Sequence, residues 1–433
     1  MIIAMFIISM LVGIGIGLPI AMALLLCAIS TALALGGGDA NPTIIARTLM
    51  QGSDSVTMMA LPFFVLAGEI MNRGGLTKRI INFCDVFLGG IRGGLGYVTI
   101  FACLMFAALV GSAVAACAAL GAMLIPMMIN SGYNKEESAA LVASANLVAP
   151  IMPPSVPMIV YGVSAGVSIN SLFLSGIAPA VYLTIIACVV WFFKTKKKGV
   201  VPTTENHVKP TFKEAIHIFF SGLWALLLPV IILVGLRSGR FTATEAGVIA
   251  CVYAILIGVL VYKELKIKDL GKIFVAAAKT SAVVMFLAAS ANCAAYFMTV
   301  SRIPQLMTDG LGGLVAHPTL LMFVLMCIVV VVGLAMDVTP SILILTPIML
   351  PLVKAAHINT IYFGVCFVLM NVLGLTSPPV GPVLNVACAA GNVKMDKIIP
   401  PTMSYFLLQT ALCFLLALFP PLVQVPMKCL GVM

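Results

Sequence analysis

Apolar stretches run through this chain almost end to end. They cover 1–35, 57–71, 95–127, 139–165, 176–193, 218–236, 245–262, 275–300, 318–353, 360–390 and 402–427, and the first, Met1–Leu35, holds no charged residue. A helix that crosses a bilayer needs roughly 20 apolar residues, and several stretches are long enough for two crossings or for one crossing and a re-entrant piece. The lengths predict about eleven spans plus re-entrant hairpins. Of the 433 residues, 62% are hydrophobic and 9% are charged, whereas soluble domains carry about 25% charged residues. The chain is therefore expected to be an all-α polytopic membrane protein. Met1–Leu35 lacks the basic start of a secretory signal and is too long for one, so it is expected to be retained.

The formal net charge is +10, but its distribution argues against a nucleic-acid surface. Basic residues gather in short loops: Arg73, Lys78, Arg79 and Arg92; Lys194, Lys196, Lys197 and Lys198; Lys263, Lys266, Lys268 and Lys272. That is the signature of cytoplasmic loops under the positive-inside rule. The twelve cysteines fall mostly singly inside apolar stretches and the four histidines are scattered, so neither a disulfide framework nor a metal cluster is expected. No GxxxxGK[ST] loop exists for ATP, and no HExxH or CxxC pattern or catalytic dyad points to an enzyme.

One substantial polar loop, Lys194–Glu214, divides the chain into two hydrophobic halves that resemble each other. At an offset of 225 positions, Pro126 meets Pro351, Asn134 meets Asn359, Asn146 meets Asn371, Pro153 and Pro154 meet Pro378 and Pro379, Pro157 meets Pro382, and Gly166 meets Gly391. Prolines and asparagines are rare on lipid-facing helices, so duplication accounts for the matches. The expected division is 1–56, N-terminal scaffold helices and an amphipathic segment; 57–193, a first repeat; 194–217, a polar cytoplasmic linker; 218–282, scaffold helices; 283–400, a second repeat; and 401–433, a C-terminal helix.

Each copy opens on a short run broken by small or polar residues, with Ser112 in one at the offset of Asp337 in the other. It then passes a polar turn, at 130–137 or 354–360, and enters an apolar helix that breaks at prolines. The first part of each copy reads as a helix–turn–helix that enters and leaves by one face, the second as a discontinuous span. Pro150, Pro153, Pro154 and Pro157 lack N–H donors and must unwind the first break. The freed carbonyls cost several kcal/mol each in lipid unless satisfied. Na⁺ could satisfy them together with the oxygens of Ser144, Asn146 and Ser155, and in the second copy those of Asn371, Thr376 and Ser377. A plain packed proline kink is the alternative reading. Asp337 is a carboxylate at membrane depth, costly and usually functional, though also a good helix cap. Glu69 ends an apolar run without an evident role. Glu245 reads as a first-turn acid.

The segments Leu61–Met71, Gly111–Ala115, Ala149–Ser155, Thr244–Gly247, Met336–Pro340 and Thr376–Gly381 together make the chain resemble the large membrane subunit of tripartite ATP-independent periplasmic (TRAP) transporters. Ala243 departs from the proline common before the Thr-Glu-Ala-Gly motif. The resemblance implies an elevator-type transporter with two inverted repeats, each holding a re-entrant hairpin and a discontinuous helix. It implies Na⁺-coupled uptake of a carboxylate across the bacterial inner membrane. A small four-helix membrane subunit and a periplasmic substrate-binding protein would be partners, beside membrane lipids. Carried onto this sequence, the substrate site takes Ser112, Ser155 and Asp337. The Na⁺ sites take Ser112, Asn146, Ala149, Pro153, Pro154, Thr339, Asn371, Gly374, Thr376 and Ser377. Whether Asp337 touches cation or substrate stays open. The run Pro62–Arg79 resembles members handling acidic sugars, which favours sialic acid or a related sugar acid over C4-dicarboxylates and keto acids. A single-component Na⁺/dicarboxylate symporter remains the rival, ahead of a membrane enzyme.

Overall fold

The computed structural model describes residues 2–36, 41–55, 57–197, 200–201, 211–310, 312–378 and 381–432, and the described residues contain helices and no strand. The helices are α1 Ile2–Gly15, α2 Ile20–Leu35, α3 Pro42–Ser53, α4 Ala60–Arg73, α5 Leu76–Leu88, α6 Gly94–Val110, α7 Ala113–Asn130, α8 Lys135–Ala145, α9 Val156–Ala165 and α10 Ile169–Lys194. The second half continues with α11 Phe212–Arg237, α12 Ala243–Leu256, α13 Ile267–Val300, α14 Ile303–Gly310, α15 Gly312–Val315, α16 Pro318–Ala335, α17 Val338–Ala355, α18 Thr360–Gly374, α19 Pro382–Gly391, α20 Met395–Leu418 and α21 Pro421–Cys429.

Among the described residues seven helices are long and apolar enough to cross a membrane. The number falls below the eleven spans expected because the breaks cut other apolar stretches into helices of 10–17 residues, such as Val156–Ala165 and Pro382–Gly391.

The duplication is realised element by element. Moving α7 along by 225 positions lands on α17 from end to end, and α6, α8, α9 and α10 land on α16, α18, α19 and α20 within a few residues. The caps repeat too: Asn134 accepts from Glu137 N–H at 2.9 Å, and Asn359 accepts from Ile361 and Tyr362 N–H at 2.9 Å. The correspondence reaches further back than the expected repeat, since α2 maps onto α12 and α4 onto the second half of α13. The copies pack by exchange: α7 lies on α19 and α17 on α9, while α4 lies on α12 and α13 on α2. Reciprocal pairing of this kind is what a two-fold relation between copies produces.

Three expected boundaries fall inside elements. The helix α13 runs through 282 and 283 without a break. Pro400 and Pro401 lie within α20. Residues 212–217 are the first turns of α11, started by a capping box between Thr211 and Glu214, and not linker. The linker residues 198–199 and 202–210, and Pro379 with Val380 in the second break, lie outside the described residues.

Candidate functional site

The polar turns at 131–134 and 356–359 are not what reaches the site. The chain reverses a second time at the other end of α7 and α17, at Gly111–Ser112 and Met336–Asp337, and these tips face one cavity. Gly111 has φ +65, and a Cβ there would stand 2.5 Å from the Pro154 carbonyl oxygen. Glycine thus gives the tip its left-handed turn and its close approach to the first break. In the second copy the hairpin arm meets the break through Gly333 and Gly374, where a Cβ on Gly374 would lie 1.9 Å from the Gly333 oxygen.

Ser112 caps α7 by accepting from Ala115 N–H at 3.5 Å, and Asp337 caps α17 by accepting from Val338 N–H at 2.8 Å. The cap role weighed for Asp337 and its place in the cavity are therefore compatible. Two helix N-termini, each with free N–H groups and a partial positive charge, point at the same space.

That space is a cavity of about 260 Å³. Its wall includes Ser112–Ala115 and Asp337–Thr339 from the tips, Pro150, Val156, Pro157 and Leu375 from the breaks, and Gly68, Glu69 and Asn72 of α4 with Thr280 of α13. None of the lining residues is basic, while two are acidic. Glu69 and Asp337 therefore put two carboxyl groups in the cavity wall, and an anion can be held there only with cations or protons beside them.

Behind the cavity lie the two breaks. Asn146 is fully buried; its Nδ2 donates to the Val142 carbonyl at 2.8 Å, and its Oδ1, apart from the Cys103 thiol beside it, has no partner. Asn371 is fully buried with neither amide atom paired. Buried amides are almost always satisfied, so orphans at equivalent points of two breaks call for a ligand. The hydroxyls of Thr376 and Ser377 donate to the Leu373 and Gly374 carbonyls at 3.3 and 2.7 Å, which leaves their lone pairs outward. Amide, hydroxyl and freed carbonyl oxygens are hard donors of the kind that suit Na⁺.

Ser155 departs from the role expected of it. It is fully buried, donates to the Pro150 carbonyl, accepts from Met158 N–H at 3.2 Å, and is not in the cavity wall. The hydroxyl is used in starting α9 and does not line the cavity. Glu245 forms a capping box with Thr242, whose N–H donates to its carboxylate at 2.8 Å. Among the described residues neither Arg237 nor Arg240 pairs with it. Glu69, Asn72 and Thr280 join the site without having been assigned to it. Glu69 carries a signal, an acid in an apolar run, but Asn72 beside Arg73 and Thr280 beside Lys279 stand where polar residues are ordinary.

The family model for the DctM component of tripartite ATP-independent periplasmic transporters matches residues 7–422. This chain belongs to the DctM family. It is 44% identical over 385 residues to the large permease protein of the Escherichia coli 2,3-diketo-L-gulonate TRAP transporter, covering 89% of this chain and 90% of that one. To the large permease protein of the Vibrio cholerae sialic acid TRAP transporter it is 32% identical over 375 residues, 87% of each chain. The Alcanivorax borkumensis YdaH transporter superposes with a TM-score of 0.60 over 98% of each chain at 13% identity, a likeness of fold alone. As a DctM-family member the chain is a multi-pass membrane component of a tripartite transporter and not an enzyme.

Proposed function

We propose that this DctM-family chain carries a sugar acid across the bacterial inner membrane by Na⁺ symport, receiving it from a periplasmic binding protein and working beside a small four-helix membrane subunit. The observation that carries the reading is the cavity wall, with two carboxylates, two helix N-termini and no basic side chain. A carboxylate substrate finds N–H groups at the tips, but its charge must be offset by ions. Asn146, Ala149, Pro153 and Pro154 would hold one Na⁺ behind the first tip, and Asn371, Gly374, Thr376 and Ser377 another behind the second. Thr339 and Ser112 join from the tips.

In this account Na⁺ orders each tip against its break, and the ordered tips complete the anion site. Affinity then rises with Na⁺, and by linkage Na⁺ affinity rises with substrate. Each inward Na⁺ gains about 2.3 kcal/mol per 100 mV. Inverted repeats moving as an elevator past α2, α4, α12 and α13 would turn the cavity from one side to the other, and the reciprocal packing of the copies supports that motion. The higher identity to the diketogulonate permease puts a hexonate-type acid first and sialic acid second among substrates.

The test is uptake of labelled diketogulonate and sialic acid into liposomes holding the chain with its small subunit. Uptake that needs both an inward Na⁺ gradient and the binding protein is expected. Uptake indifferent to Na⁺ removes the coupling, and full uptake without the binding protein favours a single-component symporter.

A further inference from the structure

The positive loops and the site leave one feature unused, an apolar groove of about 730 Å³ on the outer face of α6 and α10. Its floor is Tyr97, Phe101 and Leu104 of α6, and its far wall is Ile185, Val189 and Phe192 of α10. Ile185 and Phe192 are 52% and 49% exposed. The stretch of α10 that lines it, from Val181 to Phe193, spans about 18 Å at 1.5 Å per residue. Half of a hydrocarbon core of about 30 Å is close to that length, so the groove occupies one leaflet.

The fold does not require the groove. At the corresponding positions of the second copy, Met322, Met326 and Val329 of α16 and Cys413 and Ala417 of α20 are buried, while Thr410 and Phe414, the counterparts of Ile185 and Val189, are half-buried. This face is more exposed in the first copy, and only the first copy has a lysine run beyond the long helix, where the second has Pro420 and Pro421.

Those lysines stand at the groove's mouth. Lys196 Nζ lies 4.4 Å from the Phe192 ring centre and 5.7 Å from that of Phe193, both rings being part of the groove. Lys197 is exposed beside it, and Arg92 reaches across from the start of α6 to donate to the Thr195 carbonyl at 3.2 Å. Glu137, an acid at this end of α10, is paired with Lys194, and among the described residues neither Lys196 nor Lys197 has an acidic partner. A one-leaflet apolar slot ending in basic side chains on the side of the positive loops matches an anionic lipid, since the cytoplasmic leaflet is the anionic one.

We infer that the groove between α6 and α10 binds one anionic phospholipid of the cytoplasmic leaflet, its chain along Ile185–Phe192 and its phosphate at Lys196, Lys197 and Arg92. The experiment is native mass spectrometry of the purified chain in detergent, titrated with phosphatidylglycerol, phosphatidylcholine or glycerol phosphate, with melting temperature as the folding control. Phosphatidylglycerol is expected to be retained over phosphatidylcholine, and glycerol phosphate is expected not to displace it. Two lysines at about 1 kcal/mol each near an anionic headgroup correspond to a loss of roughly thirtyfold in affinity for Lys196→Gln/Lys197→Gln. Ile185→Trp, which fills the slot while leaving the charge, should lower retention as well. Equal retention of the two lipids overturns the inference. So does retention unchanged in Lys196→Gln/Lys197→Gln, or unchanged in Ile185→Trp. Cross-linking of a small-subunit helix to a cysteine at position 185 in place of lipid would also overturn it.

Discussion

Asp337 and Ser155 divide what a residue's type and place can tell. The sequence singles out Asp337 as a carboxylate at membrane depth and Ser155 as a hydroxyl beside the first proline break. Asp337 caps α17 and faces the cavity, whereas the Ser155 hydroxyl is consumed between Pro150 and Met158. Asp337→Asn keeps a capping oxygen, since Asn and Asp cap equally well, but removes a charge from the cavity. It is expected to lower Na⁺-dependent uptake at least tenfold with melting unchanged; uptake and Na⁺ dependence both unaltered would remove Asp337 from the site. Ser155→Ala should instead cost about 1 kcal/mol of stability as a lost cap, seen as a lower melting temperature with substrate affinity unchanged. Glu69 shows the limit of reading at this scale. Its type is legible as unusual, but its place in the same cavity wall as Asp337 depends on how α4 packs against the tips, which no local pattern states.

At the scale of elements, the prolines and asparagines made both breaks legible. Pro150 through Pro157 cannot remain helical, and α8 gives way to a short 3₁₀ turn at Asn146–Val148 before α9 resumes at Val156. The tips were harder to place, because Gly111–Ser112 and Met336–Asp337 look like small interruptions inside long apolar stretches. Only the packing of Gly111 on Pro154 and of Gly333 on Gly374 makes them turns. Gly374→Ala puts a Cβ 1.9 Å from the Gly333 oxygen and is expected to cost roughly 3 kcal/mol. Gly271→Ala in α13, with nothing within 4 Å, should instead stabilise by about 0.5–1 kcal/mol. Thermal unfolding of the two variants side by side checks the difference, and equal melting would mean the arm does not meet the break. A second joint ties α10 to α8 through Lys194 and Glu137, whose side chains are 7% and 17% exposed, and Lys194 also donates to the Pro401 carbonyl of α20 at 2.9 Å. Lys194→Met should cost about 3–5 kcal/mol by leaving Glu137 unpaired. Lys194→Met/Glu137→Met should recover most of that loss; if it melts no higher than the single variant, the pair is not the joint.

For the whole molecule, the membrane class followed from the apolar stretches and the duplication from a gapless offset. How far the duplication extends did not, because α2 and α12 or α4 and α13 share little beyond apolar character. Their kinship is visible only in exchange packing, α4 on α12 and α13 on α2. Within that arrangement α4 packs on α6 and α9, and α13 on α17 and α9, so one helix of each exchanged pair lies against the elements that carry the tips and breaks. We propose that the two breaks are paired Na⁺ sites serving the cavity. Equilibrium binding of ²²Na⁺ to the purified chain with its small subunit tests it most directly. Asn146→Ala and Asn371→Ala are each predicted to abolish one site, and the double variant both, with folding retained. Sodium binding by the double variant equal to that of the parent chain would contradict the account.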